Sequence, residues 1–122
     1  MIQNSRLKLL HYHYHLSSSQ LEKHILDNWA RDNEIPKIYK ADTSSDYEIH
    51  DLSFQEHFEF LYDLYAYVHD NYYIEPNLYS VLKKFCIRSG FFNSNLKSLH
   101  TLLLENVKQG NTANQVMSLI KL

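Results

Sequence analysis

Apolar residues recur along much of this chain at intervals of three and four, which places them on single helical faces. Leu21, Ile25 and Trp29 predict a helix over about residues 20–32, and Ser19 with Glu22 has capping-box spacing at its start. The pattern stops before Pro36, whose ring disfavours helical geometry at Ile35. Ser53 and Glu56 repeat that spacing ahead of a longer run: Phe54, Phe58, Leu61, Tyr65, Val68 and Tyr72 predict helix over about 54–72. Pro76 suits the first turn of a third helix through Leu78, Leu82 and Phe85, ended by Gly90. Leu96, Leu99, Leu103 and Val107 mark a fourth over about 94–108, with Gly110 beyond it. Thr112 and Gln115 again have capping-box spacing, ahead of Val116, Leu119 and Ile120.

Two segments read differently. Leu10, Tyr12, Tyr14 and Leu16 alternate with His11, His13 and His15, a strand period, yet Leu7, Leu10 and Tyr14 equally make one helical face. Helix is favoured, because only Tyr47–Leu52 offers a strand partner and isolated two-stranded ribbons are marginal. Residues 41–46, rich in Ser, Thr and Asp, predict a loop. The expectation is a mainly α fold: a single-domain bundle of four to six helices over residues 1–122, with a short N-terminal strand as the alternative for residues 6–16.

Composition narrows the function classes. Gly90 and Gly110 are the only glycines, so neither a glycine-rich phosphate cradle nor a dinucleotide fingerprint can be built. Cys86 is the only cysteine and sits within an apolar helical pattern, which predicts a buried, inert thiol. No apolar run approaches the roughly 20 residues of a membrane span, and the histidines break the stretch that a secretory signal would need. A cytoplasmic location is expected.

Charge changes the picture most. Between Lys40 and Lys83 there is no Lys or Arg, but there are nine acids and ten of the sixteen Tyr and Phe residues. Residues 1–40 carry +2, the central block −9 and residues 83–122 +5, which recovers the overall −2. Local fields rather than the total choose partners. On a helical projection the six apolar residues of the 54–72 run span about 80°. Glu56, Glu59, Asp63 and Asp70 fall within about 60° on the opposite side, and Phe60 and Tyr67 lie beside them, too far round to share that core arc. No Lys or Arg stands four residues away to offset the repulsion. The countercharge is therefore expected either on the chain's own Lys83, Lys84 and Arg88 or on a basic partner.

Candidate chemistry beyond charge is thin. His11 and His15 would sit one helical turn apart, a workable zinc spacing, but no pattern supplies a third ligand. Paired carboxylates abound without one being singled out as a protected acid, and no nucleophile-elbow motif occurs. No catalytic residue, metal or cofactor is assigned. A helix–break–helix run from Asn77 to Lys108 allows nucleic-acid contact through Lys83, Lys84, Arg88 and Lys97, though few cations fall on the would-be reading helix. Ala41-Asp42-Thr43-Ser44-Ser45 followed by acids, with Tyr72-Tyr73 later, resembles the nuclease-colicin immunity proteins over a handful of residues, while spacing and length depart from that family. The resemblance implies shared chemistry: carboxylates and tyrosines that occupy a basic, nucleic-acid-binding cleft. The expected function is a non-enzymatic protein-binding module, an inhibitor, antitoxin or immunity factor, engaging a basic toxin or nucleic-acid enzyme through Glu56, Glu59, Phe60, Asp63, Tyr67 and Asp70. The alternative is a small nucleic-acid-binding regulator using the basic C-terminal third.

Overall fold

The computed structural model describes residues 4–40, 52–72, 76–89 and 96–119, and every regular element among them is helical. The helices are α1 (Asn4–Leu16), α2 (Gln20–Asp32), a 3₁₀ turn (Lys37–Lys40), α3 (Phe54–Asn71), α4 (Pro76–Arg88), α5 (Leu96–Lys108) and α6 (Ala113–Met117). The mainly α expectation holds, and the histidine-rich start is helix α1. The loop expected at 41–46, the strand partner at 47–51 and the turn at Gly90 lie outside the described residues. Contacts divide the chain into two compact units, Met1–His57 and Phe58–Leu122.

In the first unit, local side-chain chemistry sets where α2 begins and ends. The Ser19 hydroxyl accepts the Glu22 N–H at 3.3 Å, and the Glu22 carboxylate accepts the backbone N–H groups of Ser18 and Ser19. That carboxylate is fully buried, so the free N–H groups of a helix start and the helix dipole together hold an acid in the interior. At the other end, the Ile35 N–H reaches back to the Ala30 carbonyl at 2.8 Å and the Glu34 N–H to Arg31 at 3.1 Å. This is a Schellman ending, and it requires a left-handed residue, here Glu34 with φ 58°. Leu9, Leu10, Ile25, Leu26 and Trp29 form the unit's core, with the Arg6 guanidinium 4.9 Å from the Trp29 ring.

The second unit gathers Leu61, Leu64 and Tyr65 of α3, Leu82 and Phe85 of α4, Leu103 of α5 and Val116 of α6 into its interior. α5 ends on the same motif as α2, but with Gly110 at the left-handed position, φ 76°. The Tyr62 hydroxyl donates to the Asn111 carbonyl at 2.7 Å, and the Asn111 amide donates to Asn106 at 2.7 Å, fastening α3 to the turn between α5 and α6.

Helix α3 departs from expectation in one respect. Phe58, Leu61, Tyr65 and Val68 are buried as predicted, while Phe54 and Tyr72 at its ends are half-buried. Phe60, expected outside the core, is only 1 % exposed, and Tyr62 and Leu64 are buried too. On the helical projection these buried residues span about 200°. The expectation assumed a helix covered from one direction; α3 is instead covered from several. Its acidic strip is what remains.

Three substitutions check these assignments. Phe60→Ala should cost about 3–5 kcal/mol in urea unfolding, as an interior phenylalanine does, where a surface contact would cost far less. Glu34→Gly should stabilise by up to about 1 kcal/mol, a left-handed penalty of about 1–2 less added unfolded-chain entropy of about 0.4–1. Gly110→Ala should act in the opposite sense through the backbone alone, because nothing lies within 4 Å of the added methyl.

Candidate functional site

The central acids can now be placed. Glu56 opens α3: its carboxylate accepts the Ser53 N–H at 2.9 Å while its own N–H donates to the Ser53 hydroxyl at 3.1 Å. That carboxylate is therefore committed to a capping box. Glu59 and Asp63 are half-buried, Asp70 is exposed, and Tyr67 is half-buried with its ring 6.2 Å from that of Tyr72. His69 Nδ1 lies 3.1 Å from the Asp70 carboxylate. The strip that one helix presents in the second unit is thus Glu59, Asp63, Tyr67 and Asp70, with Phe60 behind it in the interior.

The basic candidates sit mainly on α4. Lys84 is exposed, Lys83 half-buried, and the half-buried Arg88 guanidinium lies 5.3 Å from the Phe85 ring. Lys97 is in the first turn of α5, but its side chain lies outside the described residues.

Of the three histidines of α1, His11 and His15 share a face one turn apart and His13 does not. His11 and His13 are buried, His15 is exposed, and the His11 and His15 rings lie 4.3 Å apart. His15 Nε2 is 3.2 Å from the Tyr39 carbonyl. Among the described residues no group of three His, Cys, Asp or Glu side chains is arranged to hold a metal ion. No helix among them is long and apolar enough to cross a membrane.

Sequence reasoning missed the most organised polar cluster. Tyr65 Oη lies 2.7 Å from His100 Nδ1 and 3.1 Å from Cys86 Sγ, joining α3, α4 and α5 in the interior. Its members are 21 and 35 residues apart, so no local spacing announces it. Tyr65 has one proton to give. Imidazole nitrogen is a far better acceptor than sulfur, and its contact is the shorter. With His100 in its Nε2–H tautomer the Tyr65 O–H donates to Nδ1 and the Cys86 S–H donates to Tyr65; with the Nδ1–H tautomer both bonds reverse.

Burial keeps all three neutral. It pushes the Cys86 thiol up to about 11, against a smaller opposing effect of the Tyr65 hydrogen bond. It raises Tyr65 as well, and it lowers His100, assisted by the positive charge of Lys83. Cys86 is accordingly a fully buried thiol, not an activated nucleophile. The exposed Tyr79 closes the cluster, its ring edge-on to His100 at 5.3 Å.

No family model, curated protein or solved structure matches this chain.

The depressed His100 value has a definite sign. Above the ordinary histidine value of 6.5 neither folded nor unfolded chain holds the proton, and His100 adds no pH dependence. Below it the unfolded chain takes up a proton that the folded one refuses, so stability falls as pH is lowered. His100→Asn keeps an acceptor near Nδ1 without a titrating ring. The loss of urea-measured stability between pH 7.5 and 5 should be smaller in that variant than in the parent; an equal loss would assign the effect elsewhere.

Proposed function

We propose that the chain is a non-enzymatic binding protein whose α3 strip of Glu59, Asp63, Tyr67 and Asp70 engages a basic protein partner. One observation carries the reading: α3 is buried over a wide arc, and its carboxylates are confined to the narrow face left over. Carboxylates fixed on a helix set by its core lose little freedom on binding. Their field speeds encounter with a cationic surface, and the half-buried Tyr67 supplies area whose desolvation slows release.

A nucleic-acid-binding cleft on an enzyme or toxin is the natural cationic surface of this kind, which makes the protein an inhibitor or immunity factor. Glu56 contributes to α3's start, and Phe60 contributes by holding the strip from within. Both therefore fall outside the contact set, although the sequence pattern placed them in it.

The test is a double charge reversal, Glu59→Lys with Asp63→Lys, in a pull-down from the native host followed by calorimetry on the partner retained. Affinity should fall at least tenfold, and the salt dependence of the association rate should flatten. Unchanged affinity overturns the proposal. If the chain instead contacts nucleic acid through Lys83, Lys84, Arg88 and Lys97, the same reversal leaves binding intact or strengthens it.

A further inference from the structure

A cavity of about 430 Å³ opens in the first unit between the end of α2 and the 3₁₀ turn, lined by Asp27, Arg31, Ile35, Lys37, Tyr39 and Lys40. That volume lies within the range of small-molecule pockets, about 300–1,000 Å³. Its one carboxylate is already engaged: Asp27 Oδ1 accepts the Tyr39 hydroxyl at 2.6 Å and lies 3.3 Å from Lys40 Nζ. Burial and the Asp27 hydrogen bond raise the Tyr39 phenol well above its ordinary value, so it stays a neutral donor.

The remaining cations are less committed. Among the described residues the Arg31 guanidinium pairs with its neighbour Asp32, through Nε at 3.4 Å, with the two side chains 71 % and 46 % exposed. Such a pair is worth little, and it leaves the terminal guanidinium nitrogens to pair elsewhere. Lys37 makes no ion pair among the described residues. With Lys40 offsetting Asp27, the cavity carries two surplus positive charges, from Arg31 and Lys37. Ile35 and Tyr39 stand behind it, only 7 % and 2 % exposed, so little apolar surface faces the opening.

We infer that this cavity binds a small oxyanion, a phosphate or carboxylate group. The Arg31 fork and the Lys37 ammonium would take it. The site is separate from the α3 strip and independent of the function proposed for it.

The test is an NMR titration of the ¹⁵N-labelled full chain with phenyl phosphate, benzoate, inorganic phosphate and, as a cationic control of like shape, benzamidine. Phenyl phosphate or benzoate should give saturable shifts at Asn28, Arg31, Ile35 and Lys37–Lys40, and whichever binds more tightly identifies the preferred oxyanion. Inorganic phosphate should shift the same amides. Arg31→Ala with Lys37→Ala should weaken binding at least tenfold, while far-UV circular dichroism stays unchanged. Both residues are exposed, so the fold tolerates their loss. If the double variant is nonetheless unfolded, each single variant should weaken binding on its own. Unaltered affinity in the variants, equal shifts with benzamidine, or shifts scattered over lysines outside the cavity would overturn the inference.

Discussion

Helix α3 has to bury aromatic and aliphatic side chains over more than half its circumference while carrying carboxylates, and much of the C-terminal unit follows from that constraint. Burying each large apolar side chain is worth about 1.5–3 kcal/mol. An unpaired carboxylate in the same interior would cost more than one such gain returns. The only arrangement compatible with both is segregation. Phe58, Leu61, Leu64 and Val68 go inward, and Glu59, Asp63 and Asp70 are left on one narrow face. The charge density of that face is thus a by-product of how thoroughly the rest of the helix is covered.

Four of the polar side chains that enter the interior do so on a specific hydrogen bond. Glu22 is held by the N–H groups that begin α2, Tyr39 by Asp27, Tyr62 by the Asn111 carbonyl and Tyr65 by His100. Each is an obligate hydrogen-bonding group whose burial costs about 1–3 kcal/mol if left unmet. Tyrosine suits this role, since its ring adds apolar area while its hydroxyl reaches a distant acceptor. That accounts physically for the tyrosine-rich interior without any appeal to catalysis.

Most helix limits were legible in the sequence, because the residues that set them act within one turn. Ser19 with Glu22, Ser53 with Glu56 and Thr112 with Gln115 all form the reciprocal bonds their spacing predicts. The interior position of Phe60 was not legible, since a periodic pattern gives the direction of the main apolar face but not how many neighbours surround the helix. The pairing of Tyr65 with Cys86 and His100 was hidden for a different reason: it depends on which helices become adjacent. The cavity beside Lys37 was hidden likewise, being formed where the chain turns back after α2 rather than by any motif. Of the candidate binding residues, charge placed Glu59, Asp63 and Asp70 correctly on one face. It also counted Glu56, whose carboxylate the Ser53–Glu56 spacing had already assigned to a helix cap.

The central place of Tyr65 between Cys86 and His100 bears on how this sequence can drift over generations. Losing the thiol leaves Tyr65 bonded to His100, and losing the imidazole leaves it bonded to sulfur, so either end can change while the hydroxyl stays satisfied. Losing the central hydroxyl removes the partner of both ends at once. Descendants of this chain should therefore vary at positions 86 and 100 one at a time, whereas a change at 65 is tolerated only after the other two have become apolar. The interior thus fixes an order of substitution, and a tyrosine kept at position 65 beside variable neighbours would be its trace.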